Sequence, residues 1–172
     1  GIPAELSEDT QFQARVADYR SASQNKSKTL KAGDMLPLKS GKTPLSVKIV
    51  TASRGVIPNV GKPNPFAKLH KPQPVDKSDN AASVSFLLKF GRFAFLCCGD
   101  LTWNIEAKLM TPNNPIGKVD MFMVTHHGLP SSNNPVLVRA IAPRVAVMCN
   151  GPTKGGSESV LKTLHECKSL QA

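Results

Sequence analysis

The sequence is poor in the features that mark membrane proteins and disulfide-rich proteins. No apolar run approaches the ~18 residues that a membrane-spanning helix needs, so we expect no membrane span. The four cysteines form no Cys-x-x-Cys motif, which argues against a disulfide framework and against a structural zinc site. The chain also begins with Gly1-Ile2-Pro3 instead of Met, and we therefore expect it to be part of a longer protein.

Acidic residues are scarce as well, but only in one part of the chain. The formal net charge is +10, and the segment from Arg20 to Lys77 holds 12 basic residues against only Asp34 and Asp76. Such a stretch attracts nucleic acid, phosphates or anionic lipid, although a solvated lysine-rich surface has the same composition. Phe66 is the only aromatic residue within it, which gives little support for stacking on single-stranded bases.

Length and composition favour one packed domain, since the chain has 172 residues of which 40% are hydrophobic and 20% charged. We divide it into three segments. Residues 1–53 are predicted to hold a helix over 7–20, capped by Ser7, then a basic linker and a strand. Residues 54–80 form a proline-rich loop, and residues 81–172 form the C-terminal segment.

The C-terminal segment alternates buried strands with helices, which predicts an α/β fold. A two-residue turn at Gly91-Arg92 joins its first two strands, and both faces of the second strand are apolar, so we expect that strand to be fully buried. The predicted strands are 83–90, 93–98, 119–125 and 144–149, and the predicted helices are 102–110, 135–142 and one that begins after Ser157.

Polar side chains follow two of these apolar strands at the points where the strands end. Asp100 follows one strand, and His126 with His127 follows the next. The ends of such strands are where α/β folds bind ligands, and carboxylate with imidazole suits zinc, manganese or iron. Each group alone has an ordinary explanation, Asp100 as a helix cap and the histidines as a hydrogen-bonded turn. Their occurrence after successive core strands favours a site.

The two motifs resemble those of a known family. The stretch GRFAFLCCGDLTWNIEAKL, followed by VDMFMVTHHGLPSSNNPVLVRAIAPRVAVMCNG, resembles the C-terminal half of metallo-β-lactamase-fold hydrolases. The branch with competence-type (DNA-uptake) domains is the most similar, because it has Gly-Asp after a hydrophobic hairpin, His-His-Gly-x-x-x-Ser after a later strand, and Asn-x-x-Ser before the hairpin. The resemblance covers residues 79–165.

The resemblance implies part of a four-layer αββα sandwich and a metal site at the sheet edge. Asp100 matches the aspartate that bridges two metals, and His126 matches the last histidine ligand. His127 is the alternative ligand or a group that orients the substrate. The metal would be zinc, or alternatively manganese or iron, and would activate water for attack on a phosphodiester, lactone or other ester. Loop residues beside the site that could contact substrate are Ser131, Ser132, Asn150 and Lys154, which are equally ordinary turn residues.

One part of the family pattern is missing. The chain contains no His-x-His-x-Asp-His motif, and Asn80 is the nearest polar residue to the position where a further histidine is expected. The resemblance therefore implies a C-terminal portion that binds metal only when further ligands are supplied and that is inactive alone. The expected partner is the N-terminal half of the same enzyme, or a second copy of this chain, with nucleic acid or another anion as a possible substrate.

Two other functions fit the same residues. A metal-free, degenerate domain would bind nucleic acid or an acidic partner through residues 20–77. A purely structural subunit would use Asp100 and His126 only as hydrogen-bonded turn residues.

Overall fold

A computed structural model describes residues 9–39 and 41–172, which fall into two compact units. The unit Gly1–Leu30 contains helix α1 (Thr10–Ala22). Asp9 caps this helix, because its carboxylate accepts hydrogen bonds from the backbone N–H groups of Gln11 and Phe12 at 2.9 and 3.2 Å. The predicted cap Ser7 lies outside the described residues, and no residue of α1 is buried.

The unit Lys31–Ala172 is built on a six-stranded mixed sheet. Its strands are β1 (Leu45–Ala52), β2 (Gly55–Val56), β4 (Ser85–Phe90), β5 (Phe93–Cys97), β7 (Met121–Met123) and β8 (Val145–Val147), and the short strands β3 (Lys62–Pro63) and β6 (Asn113–Asn114) pair separately. The order in the sheet is β2-β1-β4-β5-β7-β8. The first four strands are antiparallel neighbours, whereas β5, β7 and β8 run parallel.

Three helices connect or follow the parallel strands, namely α2 (Trp103–Met110), α3 (Pro135–Ile141) and α4 (Glu158–His165). Their apolar residues join one face of the sheet in a single core, in which Leu96 and Phe122 of the sheet and Leu109 and Leu137 of the helices are fully buried. Helices packed on a mixed sheet whose last three strands are parallel give an α/β fold, which confirms the predicted class.

Over β4, β5 and β7, the opposite face of the sheet is apolar but only half-buried. The register aligns Leu88 with Phe95, and Phe95 with Met121, on this face. Phe86 and Phe95 also meet there edge to face, with ring centroids 5.8 Å apart. The expectation that β5 is buried on both sides is therefore wrong, because the helices of the described residues cover one face only.

The proline-rich segment is folded against the second unit. It contains β2, β3 and two 3-10 turns, Ala67–Leu69 and Asp79–Ala82. Among the cysteines, Cys98 is buried, whereas Cys149 is exposed because it lies beyond the end of β8. In the described parts of the chain, every helix is too short or too polar to cross a membrane.

A leucine-to-alanine substitution should lower the free energy of unfolding by different amounts on the two faces of the sheet. Leu96→Ala should lower the free energy of unfolding by about 2–5 kcal/mol, because it leaves a cavity in the packed core. Leu88→Ala on the half-buried face should cost clearly less. Urea unfolding of both variants measures the difference, and equal losses would show that something covers both faces equally.

Candidate functional site

The site is created by the pairing of β5 with β7. These strands are parallel neighbours with Cys97 opposite Met123, so their carboxyl ends meet at one edge of the sheet. The chain continues from β5 to Asp100 and from β7 to the turn Thr125–Gly128. A hydrogen bond from the His126 N–H to the Gly99 carbonyl, at 2.9 Å, ties the two strand ends together. The pairing thus brings Asp100, His126 and His127 to the same edge of the sheet.

The turn that carries the histidines has an uncommon backbone. His126 and His127 have φ angles of 52° and 58°, and Gly128 follows at 79°. Side chains other than glycine rarely adopt this left-handed region, and each such residue costs roughly 1–3 kcal/mol. Strain of this kind persists only where the surroundings hold it, and it is concentrated at functional sites.

His127 faces Asp100. Its Nε2 lies 3.6 Å from Asp100 Oδ1, and both side chains are 38% exposed. On the other side of the ring, Nδ1 lies 2.7 Å from the Cys149 carbonyl oxygen, which can only accept a hydrogen bond. Nδ1 therefore carries the hydrogen, and neutral His127 directs the lone pair of Nε2 towards the carboxylate.

His126 is oriented by serines on one side and an amide on the other. The Ser132 hydroxyl donates to the Leu101 carbonyl at 2.7 Å, so it accepts from His126 Nδ1 at 3.3 Å. Ser131 Oγ also lies 3.2 Å from Nδ1. Nε2 then carries the lone pair and faces the Asn80 amide nitrogen at 3.3 Å. The structure thus brings Ser131, Ser132 and Asn80 to His126.

The buried carboxyl group of Glu106 helps to hold the histidine turn in place through Asn133. Glu106 on α2 accepts hydrogen bonds from the backbone N–H groups of Asn134 and Asn133 at 2.7 and 3.1 Å. Asn133 in turn bonds both the N–H and the carbonyl of Thr125 through its side chain. Burial raises the pKa of Glu106 to about 7, although the two N–H donors act in the opposite direction.

The proline-rich segment contributes a residue that sequence reasoning missed. Hydrogen bonds from Ser78 are the main reason why the pKa of Asp76 is lowered, and attraction to His126 adds to them. Asp76 also lines a small pocket together with Ser131, at a position that no motif marks. Of the remaining predicted residues, Asn150 and Lys154 lie in an exposed loop after β8, where Asn150 bonds the Gly151 carbonyl and the Lys154 carbonyl accepts from the Gly151 N–H.

The residues fit part of a metal site. Two ligand atoms on one tetrahedral zinc lie ~3.3 Å apart, which is close to the 3.6 Å between Asp100 and His127. However, residues 9–39 and 41–172 contain no group of three or more His, Cys, Asp or Glu side chains that could hold a metal ion. A tetrahedral zinc site needs at least one further protein ligand.

Comparison with known proteins gives a partial similarity. No protein-family model matches the chain. Recombination protein 2 of Haemophilus influenzae (strain ATCC 51907 / DSM 11121 / KW20 / Rd) is 32% identical over 98 residues, which cover 55% of this chain. The chain spans only 12% of the length of that relative. The similarity therefore concerns only a part of that relative.

Glu106 predicts a pH dependence of stability. In the folded chain its pKa of about 7 lies above the usual 4.5. The contribution of Glu106 to the free energy of unfolding is therefore complete below pH 4.5 and is lost as the pH rises through about 7. The free energy of unfolding of the native chain should fall between pH 4.5 and about 7. In Glu106→Gln the part of this fall that is due to Glu106 should be absent, because glutamine does not titrate. Urea unfolding across this pH range tests it, with exposed Glu158→Gln as the control that keeps the native profile. The same slope in Glu106→Gln would contradict the assignment.

Close packing of Gly155 against the His127 carbonyl group predicts that a side chain at position 155 disturbs the histidine turn. A Cβ atom at Gly155 would overlap with the His127 carbonyl oxygen, whereas a Cβ atom at Gly151 meets open space. Gly155→Ala should therefore shift the imidazole NMR signals of His127 and cost about 1–3 kcal/mol of stability. Gly151→Ala should do neither, and equal spectra for the two variants would exclude the packing described here.

Proposed function

We propose that this chain is the C-terminal portion of a metal-dependent hydrolase with a metallo-β-lactamase-type αββα fold. The observation that carries the proposal is the approach of Asp100 Oδ1 and His127 Nε2 to 3.6 Å at the shared end of two parallel strands. Zinc is the expected metal, with manganese or iron as alternatives. When bound, zinc lowers the pKa of a water ligand and polarises the bond to be hydrolysed.

Each polar residue at the edge has a role in this proposal. Asp100 and His127 hold the metal, and His126 lies beside them with its Nε2 lone pair facing the Asn80 amide. Ser132 fixes the His126 ring through Nδ1, so the ring needs little reorganisation when the site is completed. Ser131 lies beside the same ring and is placed to orient the substrate.

The remaining metal ligands come from outside the described residues, either from a further segment of the enzyme or from another chain. The half-buried apolar face of the sheet supports this, because monomeric proteins rarely leave a contiguous apolar surface of this kind uncovered. A second sheet packed there would complete a sandwich. The expected partner is the N-terminal half of the same enzyme, or a second copy if that half is absent.

The second candidate is a metal-free module that binds nucleic acid. It is favoured by exposed lysines between residues 26 and 77, among them Lys62, Lys68 and Lys71. Binding would then weaken steeply with salt, and neutralising these three lysines should weaken it further. Unchanged affinity in the triple variant would remove this candidate.

The metal assignment is tested by substitution of the facing pair. Asp100→Asn and His127→Gln should each lower the zinc affinity of the chain by about tenfold or more, since each removes a ligand. Competition with a chromogenic chelator measures the affinity. His165→Gln removes an exposed histidine of α4 and should leave the affinity unchanged. Equal losses in all three variants would show unspecific surface binding.

The catalytic assignment needs the longer protein. Hydrolysis of an activated phosphodiester should require both that protein and added zinc or manganese, and it should be lost in Asp100→Asn. Absence of hydrolysis with either metal, in a protein that carries all its segments, would contradict the proposal for phosphodiesters. Parallel assays with a lactone and an activated ester distinguish the remaining substrate classes.

A further inference from the structure

A large groove lies away from the candidate site, at the other end of α3. We call it the α3 groove: it runs between the β3–β6 ribbon, the C-terminal end of α3 and residues 166–169. The N-terminal end of α3 follows Asn133 and Asn134, which support the histidine turn, whereas Arg139, Ala140 and Ala142 line the groove. Its volume of about 940 Å³ is within the size range of small-molecule sites.

The α3 groove combines an apolar floor with a cationic rim. Pro63, Pro65 and Phe66 supply flat apolar surfaces, and Phe66 is half-buried against the core. The lining cations are Lys62, Lys118, Lys168 and Arg139. Among the described residues that line the groove, Glu166 is the only acid, and it is paired with Arg139. Three exposed lysines therefore remain uncompensated around an apolar cavity.

Arg139 is the only one of these four cations that is half-buried. Arg139 Nε is buried, and the described residues provide no hydrogen-bond acceptor for it, while another nitrogen of the same guanidinium bonds Glu166. Nε is out of reach of a ligand in the groove, but 27% of the Arg139 side chain is exposed, and an oxygen-rich anion is the chemistry that satisfies guanidinium and ammonium groups together.

We propose that the α3 groove binds a small organic phosphate with a planar body, of the nucleoside monophosphate class. The lysines and Arg139 hold the phosphate, and the proline and phenylalanine surfaces pack against the base. A nucleotide is favoured over a lipid phosphate because the aromatic ring of Phe66 lines the groove, and a base can stack on such a ring. The proposal is independent of hydrolysis at Asp100 and His127.

Calorimetric titration of the full chain with AMP tests this site. AMP should bind saturably, and Lys118→Ser with Lys168→Ser should weaken it about fivefold or more, because two phosphate contacts are lost. A matched double variant, Lys48→Ser with Lys89→Ser, removes two exposed lysines outside the groove and should bind like the native chain. Asp100→Asn should also keep AMP binding, which separates this site from the candidate metal site.

Inorganic phosphate and a short-chain phosphatidic acid test whether the groove recognises the base of the nucleotide. Inorganic phosphate should bind about tenfold more weakly than AMP, and Phe66→Ala should reduce the affinity for AMP but not for phosphate. Absence of saturable AMP binding, or equal affinity in the native chain and the groove variant, would overturn the proposal. Tighter binding of a short-chain phosphatidic acid than of AMP would overturn it in favour of a lipid.

Discussion

The parallel pairing of β5 with β7 is the constraint on which the rest of the site depends. It brings two strand ends to one edge and places the backbone of His126 against Gly99. Asn133 holds Thr125 at the start of the left-handed turn that follows, and Glu106 on α2 holds Asn133. The imidazole positions are therefore set by contacts that reach through the core, and not by the histidine turn alone.

The sheet has two faces with different roles. One face is packed by the three helices and supplies the stability of the unit. The other carries phenylalanine, methionine and leucine side chains that are only half-buried. In our proposal, the same sheet positions part of a metal site and presents the surface on which another layer packs. Completing the site and covering this face are, in our proposal, one event.

The local sequence predicted those features that depend on neighbouring residues along the chain. The Gly91-Arg92 turn, the start of α4 after Ser157, and the strand ends at Asp100 and His126 are where the patterns indicate. The burial of β5 was mispredicted, because an apolar strand has the same sequence whether or not a second layer covers it. Asp76 and Glu106 were missed, since a loop acid and a helix acid acquire their roles only through contacts distant in sequence.

The most direct test of the account is a zinc titration followed through the imidazole nitrogens of all four histidines by NMR. Before zinc is added, His126 and His127 should both carry their hydrogen on Nδ1, as their Ser132 and Cys149 partners require. Zinc should then shift Nε2 of His127 first. A shift at His70 or His165 without one at His127 would contradict the assignment of a metal-binding edge.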